Sequence, residues 1–87
     1  MVEFKVTIKK KAISEIERLD RKLGREVLKK IESLSWNPHP TGSKKLSGSK
    51  KSYRIRVRDY RMLYQIDSRA KEVVVYAVGH RKDIYRR

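Results

Sequence analysis

Residues 53–66 read YRIRVRDYRMLYQI, and the fold is decided here because the polarity of this stretch alternates with a period of two. Aromatic or apolar residues occupy every second position of its first half: Tyr53, Ile55 and Val57. Arginine fills the positions between and after them: Arg54, Arg56 and Arg58. The alternation restarts after Asp59, with one side formed by Tyr60, Met62, Tyr64 and Ile66. These patterns predict two β-strands, each with one buried face, joined as a hairpin.

A two-residue turn at Arg58 and Asp59 would place Arg56 directly opposite Arg61 on the second strand. Like charges in such a cross-strand pair destabilise a sheet by roughly a few tenths of a kcal/mol. A hairpin selected for stability alone would avoid that pairing. We therefore interpret the arginine face, meaning the side of the hairpin that carries Arg54, Arg56 and Arg61, as a surface for an anionic ligand. The alternation places Arg58 on the same side.

The rest of the chain predicts further elements around the hairpin. Residues 2–8 alternate between apolar and polar side chains, which predicts a first strand. Apolar residues spaced by three and four along residues 12–34 predict two helices separated at Gly24. Residues 37–42 read NPHPTG and end the second helix, because its prolines exclude a helical continuation. Residues 72–78 read EVVVYAV, which predicts a central strand covered on both faces.

The predicted fold class is α+β. In chain order it has an N-terminal strand, a helical hairpin and a three-stranded antiparallel meander. The helices pack on one face of a four-stranded sheet, and the other face, with the arginines, is left open. A length of 87 residues gives room for one core, so we interpret residues 1–87 as a single domain.

The composition argues against several kinds of site. The chain has no cysteine, which excludes a disulfide framework and favours a reducing, cytoplasmic setting. Its two histidines lie far apart and its carboxylates are scattered, so neither a metal nor another cofactor is expected. No signal-peptide pattern is present, and no apolar run approaches the ~18 residues of a membrane span, so no membrane partner is expected.

The net charge of +14 is concentrated in one part of the chain. Residues 44–61 hold eight lysine or arginine residues against one aspartate, which accounts for half of the excess. This concentration indicates a polyanionic partner. The loop before the hairpin supplies four lysines that either contact phosphates or remain solvated: Lys44, Lys45, Lys50 and Lys51.

Three motifs give the chain a resemblance to a known family. Residues 45–48 read KLSG, residues 53–56 read YRIR and run into DYRMLY, and residues 78–81 read VGHR, with Tyr85 near the end. Together with the predicted element order, these motifs resemble the RelE/ParE superfamily of toxins from type II toxin–antitoxin systems, and more closely its RelE branch. The resemblance covers essentially the whole chain and implies a fold similar to that of small microbial ribonucleases.

The resemblance implies a ribosome-dependent endoribonuclease that cuts mRNA and inhibits translation. In that reaction a ribose 2′-hydroxyl attacks the adjacent phosphate, leaving a 2′,3′-cyclic phosphate and a free 5′-hydroxyl. The positions that match the family's catalytic residues are Arg54, Arg56, Arg61, Arg81 and Tyr85. The predicted RNA-binding residues are the four lysines of the basic loop (Lys44, Lys45, Lys50 and Lys51) together with Arg58.

The chain departs from the family at the general base. The best-known RelE members have lysine at the two second-strand positions where this chain has Arg54 and Arg56. A guanidinium with a pKa above ~12 holds phosphate well but is a poor proton acceptor. Histidine titrates near neutrality, so His80 becomes the first candidate for proton transfer and is included among the predicted catalytic residues. Tyr85 is the second candidate, provided that neighbouring cations lower its pKa.

The resemblance also implies a cognate antitoxin, and the charge of +14 favours a small acidic one. Two other functions remain open. A ParE-like toxin would poison DNA gyrase without cutting RNA, and a non-catalytic domain would bind RNA through its arginines and leave it intact. Mapping mRNA ends with and without translation distinguishes these three functions.

Overall fold

A computed structural model describes residues 3–84 of the chain. In chain order the described elements are β1 (Lys5–Ile8), α1 (Lys10–Glu17), α2 (Arg21–Ser33), β2 (Lys44–Lys45), β3 (Ser52–Val57), β4 (Tyr60–Asp67) and β5 (Glu72–His80). They form one sheet in the order β1-β5-β4-β3-β2, in which β1 is parallel to β5 and the other neighbours are antiparallel. The predicted α+β class is confirmed.

The sheet has five strands rather than the predicted four. The additional strand is β2, whose residues Lys44 and Lys45 pair with Arg54 and Tyr53 at the edge of the sheet. Two residues are too few to leave an alternating pattern in the sequence, so this part of the basic loop was predicted as irregular. Within residues 3–84, neither helix is long and apolar enough to cross a bilayer.

The break between the two helices lies at Asp20, four residues before the predicted break at Gly24. The Asp20 carboxylate accepts a hydrogen bond from the backbone N–H of Leu23 at 2.9 Å, so Asp20 is the N-cap of α2. Such a cap satisfies one of the unpaired N–H groups at a helix start and stabilises it by about 1 kcal/mol. Gly24 lies inside α2, where a glycine costs only about 1 kcal/mol relative to alanine.

The main core lies between the two helices and one face of the sheet. The helices contribute Ala12, Ile16, Leu23, Val27, Ile31 and Leu34. The strands contribute Ile55, Val57, Met62, Tyr64, Ile66, Val73, Val75 and Val78. The apolar side of the predicted hairpin is therefore the side that the helices cover, which confirms the period-two interpretation of β3 and β4.

The second face of the sheet is only partly open, contrary to the prediction. Leu63, Ala77 and Ile84 are buried there, and Leu46 and Tyr76 pack against them. Ile84 reaches this face because the turn that follows β5 folds back over the sheet. The arginine face occupies the remaining part, beside the turn between β3 and β4.

The hairpin has the predicted register. Arg56 lies opposite Arg61, and the strands are joined by a turn at Arg58 and Asp59. Arg58, however, adopts a φ of 56°, and its guanidinium binds both carboxylate oxygens of Glu26 on α2 at 2.7 and 2.8 Å. The prediction that Arg58 belongs to the arginine face is wrong, because the left-handed turn conformation directs its side chain towards the helices.

Candidate active site

A cleft of about 350 Å³ opens at the edge of β3. Five of its eight lining residues are basic, and we call it the basic cleft: Lys30, Lys44, Arg54, Arg56 and Arg61, with Thr41, Gly42 and Ile55. The cations come from α2, β2, β3 and β4, so the tertiary fold is needed to bring them together. No carboxylate is among these eight lining residues, so the lining itself contributes only positive charge.

The strand register explains why the cations converge. Arg54 and Arg56 are two positions apart on β3 and so project from the same face. Arg61 lies directly opposite Arg56, and Lys44 lies directly opposite Arg54. Each of these like-charged cross-strand pairs costs roughly a few tenths of a kcal/mol. A bound anion would convert both unfavourable pairs into a favourable cluster.

Arg61 carries the most informative atom of the cleft. Its Nη1 is buried and has no hydrogen-bond partner among residues 3–84. The residue opposite it on β5 is Gly79, which has no side chain that could reach the guanidinium. A buried donor without a partner costs about 1–3 kcal/mol, and more for a charged group. A guanidinium binds phosphate and carboxylate oxygens more strongly than it binds neutral acceptors.

The loop that closes one side of the basic cleft is held by Tyr64. This fully buried tyrosine donates its hydroxyl to the carbonyl of Pro38 at 3.0 Å, and its ring stacks on that of Tyr53 with centroids 6.0 Å apart. Burial raises the pKa of the Tyr64 hydroxyl, which therefore stays protonated and continues to donate. Further along the same loop Gly42 has a φ of 94°, a conformation that favours glycine.

Arg81 lies beside the hairpin turn, and it is not among the residues that line the basic cleft. Its backbone N–H donates to the carbonyl of Asp59 at 2.8 Å, and its Nε is 3.9 Å from the Asp59 carboxylate. Its side chain is 53% exposed. The guanidinium is therefore only loosely paired, at the same end of the hairpin as Arg56 and Arg61.

The fold does not place His80 on the arginine face. It pairs with Tyr60 across β5 and β4, and the two rings meet edge to face with centroids 5.3 Å apart. Tyr60 packs against the helix-side core, so His80 lies on the side of the sheet opposite the arginine face. The cause is a β-bulge at Tyr76, which reverses the alternation for the residues that follow it in β5. Tyr85, the other proton-transfer candidate, lies outside the described residues.

Comparison with known proteins identifies the family. Residues 6–85 match the family model described as the ParE toxin of type II toxin–antitoxin systems. This chain belongs to the RelE/ParE toxin superfamily. It is also 32% identical to a RelE-like toxin protein of Escherichia coli, in an alignment that covers 97% of this chain and 92% of that protein.

Solved structures place this RelE-like toxin in the RelE branch. The structure from the archaeal RelE–RelB complex of Pyrococcus horikoshii superposes with a TM-score of 0.82 at 25% identity, covering 92% of this chain and 97% of that one. The structure from the intact E. coli RelBE toxin–antitoxin complex gives a TM-score of 0.77 at 25% identity, covering 88% and 95%. The predicted family resemblance is confirmed.

The toxin has a second basic cleft at the opposite end of the hairpin, which we call the distal cleft. It has a volume of about 290 Å³, and its lining includes Lys50, Lys51 and Arg69 together with Tyr53 and Asp67. Ile66, another lining residue, is five positions or about 17 Å from Arg61 along β4, but Tyr53 is adjacent to Arg54 of the basic cleft on β3, so the two clefts lie next to each other and share no lining residue. Two of the predicted RNA-binding lysines therefore share a site apart from the arginines, while Lys44 lies in the basic cleft.

Four lining residues of the basic cleft are not among the predicted site residues: Lys30, Thr41, Gly42 and Ile55. Lys30 lies on α2 between the core stripe and solvent, next to buried Ile31. That boundary position could have indicated a side chain directed to the sheet edge.

Among the residues that the structure describes, no group of three or more histidine, cysteine, aspartate and glutamate side chains could hold a metal ion.

Proposed function

We propose that this RelE-like toxin is an endoribonuclease that cuts mRNA on the translating ribosome and thereby inhibits translation. The observation that carries the proposal is the Arg61 Nη1, a buried guanidinium nitrogen that has no hydrogen-bond partner among residues 3–84, in a cleft lined by five cations. A phosphodiester has the charge and the oxygen acceptors that this arrangement lacks. Similarity to a RelE-like toxin protein of E. coli and to solved RelE structures supports the same reaction class.

The basic cleft acts by stabilising charge. A ribose 2′-hydroxyl attacks the adjacent phosphorus, the bond from phosphorus to the 5′-oxygen breaks, and a 2′,3′-cyclic phosphate and a 5′-hydroxyl result. Negative charge on the phosphoryl oxygens increases in the transition state, where Arg56 and Arg61 donate to them and Lys44 adds a further positive charge. Preorganised donors of this kind lower the barrier because they need no reorientation during the reaction.

Proton transfer needs a group outside the guanidinium cluster, since arginine stays protonated at any physiological pH. His80 lies on the other side of the sheet from the arginine face. Tyr85 directly follows Ile84, which is buried against Leu63 and Ala77 on the same side of the sheet as the arginines. We therefore propose Tyr85, the second of the two predicted candidates, for proton transfer.

The distal cleft binds RNA backbone away from the reacting phosphate. Lys50, Lys51 and Arg69 provide three cations there against the one carboxylate of Asp67, and Lys45 is exposed on the neighbouring edge strand. We do not assign Arg58 to this role, because its guanidinium binds both carboxylate oxygens of Glu26. Binding through such contacts weakens as salt rises, because each phosphate contact releases counterions.

The partner of the toxin is a small acidic antitoxin. The toxin resembles RelE structures that were solved in complex with RelB, one from Pyrococcus horikoshii and one from E. coli. An acidic partner would neutralise a chain of charge +14 and would compete with RNA for the basic cleft. Both proteins act in the cytoplasm, where translating ribosomes are found.

Induced expression followed by mapping of mRNA 5′ ends, with and without an inhibitor of translation, tests this function. The expected result is new ends inside coding regions that require translation and that disappear in an Arg61→Ala, Arg56→Ala double variant. Because the matched family model describes ParE toxins, gyrase poisoning is the second candidate. DNA breaks with intact mRNA would favour it, and salt-dependent RNA binding without cleavage would favour a binding module.

A further inference from the structure

His80 makes three interactions at the point where β5 ends. Its ring meets that of Tyr60 at an interplanar angle of 79°. Its Nδ1 accepts a hydrogen bond from the backbone N–H of Lys82 at 3.1 Å, and its carbonyl accepts one from the backbone N–H of Asp83 at 2.8 Å. The side chain and the backbone of one residue therefore hold two amides of the turn that follows, those of Lys82 and Asp83.

That turn determines where the C-terminal residues lie. It starts on the side of the sheet where His80 contacts Tyr60 and ends with Ile84, only 2% exposed, on the other side against Leu63. Arg81 lies within it and is fixed by its backbone hydrogen bond to Asp59. The hydrogen bonds of His80 therefore lie on the path of the chain between Arg81, at the hairpin turn, and Ile84, on the sheet beside the arginines.

We propose that His80 is a positioning residue, which uses its Nδ1 as a hydrogen-bond acceptor to fix the turn that places Arg81 beside the hairpin turn and Ile84 on the side of the sheet that carries the arginines. It acts through the Lys82 amide and takes no proton from the substrate. The inference rests on the proposed function for its effect on cleavage, while its effect on the turn is independent of any activity.

Two substitutions separate the acceptor from the ring. His80→Asn places an oxygen where Nδ1 lies, which keeps the acceptor and removes the aromatic contact with Tyr60. His80→Phe keeps the aromatic contact and removes the acceptor. His80→Ala removes both. A positioning role through Nδ1 predicts that Lys82 exchange and mRNA cleavage in the asparagine variant are like those of the wild type. It also predicts that the phenylalanine and alanine variants give values similar to each other.

The variants are compared by hydrogen exchange of the Lys82 amide, followed by NMR on the whole toxin, and by cleavage of mRNA on translating ribosomes. In His80→Phe and His80→Ala we expect exchange about fivefold faster and cleavage about tenfold slower, as for loss of one hydrogen bond and displacement of one phosphate-binding group. In His80→Asn both rates stay within about threefold of the wild type, a difference of less than ~1 kcal/mol.

Two results would overturn the inference. An asparagine variant with normal Lys82 protection but no cleavage would show that His80 transfers a proton. Equal exchange rates in all four proteins would show that Nδ1 does not hold the turn. If the wild type itself cuts no RNA, the proposed function fails, whereas Lys82 exchange still decides whether His80 fixes the turn.

Discussion

Replacing Arg61 by methionine should make the toxin more stable while making it inactive. The Arg61 Nη1 has no partner among residues 3–84, and a buried donor in this state costs about 1–3 kcal/mol. Its pairing with Arg56 adds a few tenths of a kcal/mol of repulsion. Methionine removes both terms and keeps an unbranched apolar side chain of similar length, so Arg61→Met should raise the free energy of unfolding by about 1–2 kcal/mol.

Urea unfolding of the isolated toxin measures this change, and thermal unfolding supports it with an increase in Tm of about 4–8 °C for each kcal/mol. Arg25→Met is the matched control, because Arg25 is exposed on α2 and its replacement should change stability by no more than about 0.5 kcal/mol. An Arg61→Met variant less stable than the wild type would refute the reasoning, since it would mean that the guanidinium already has favourable partners.

Three further predictions concern the surroundings of the clefts. The hydrogen bond from Arg58 lowers the pKa of Glu26 below its usual 4.5. This pair therefore stabilises the fold above that pH, and its contribution is lost as the pH falls through the lowered pKa of Glu26. Glu26→Gln should make the free energy of unfolding depend less on pH in that range. Tyr64→Phe should lower the free energy of unfolding by about 1 kcal/mol, measured with urea, because the hydrogen bond from its hydroxyl is lost. Lys50→Ala with Lys51→Ala should reduce the slope of log affinity against log salt for single-stranded RNA by about 1.4.

The lysine prediction needs a control with the same loss of charge. Lys10→Ala with Lys11→Ala removes two exposed lysines from α1, outside both clefts, and should change the salt slope by less than the distal-cleft variant does. Equal slopes for the two double variants would contradict a distinct distal cleft. For Glu26→Gln the contradicting result is an acid unfolding curve identical to that of the wild type, and for Tyr64→Phe it is unchanged stability.

The hairpin was predictable in detail because a period of two assigns each side chain to a face. The pairing of Arg56 with Arg61 follows from that assignment once the turn is placed, and the structure has the same register. Arg58 escaped the pattern because alternation describes extended backbone, whereas this residue has a φ of 56°. Its partner, Glu26, is on a helix 32 positions away in the sequence. No local pattern reveals such a contact.

The bulge at Tyr76 was the decisive feature that the sequence did not reveal. Strict alternation from Val73 and Val75 would place His80 on the arginine face, and the bulge moves Val78 and His80 to the helix side instead. An apolar run that is covered on both faces gives no sign of such a shift, because its residues are apolar whichever way they face. The face of the sheet on which His80 lies therefore depends on one inserted residue, Tyr76.

The central claim is that the basic cleft holds the phosphodiester while it is cut. The most direct test measures the rate at which 2′,3′-cyclic phosphate ends form in mRNA on translating ribosomes, for the wild type and for Arg61→Met. Loss of one charge-assisted hydrogen bond to the phosphate should slow cleavage by about 10- to 100-fold, even though the variant is the more stable protein. Cleavage at the wild-type rate by a folded Arg61→Met toxin would contradict the account.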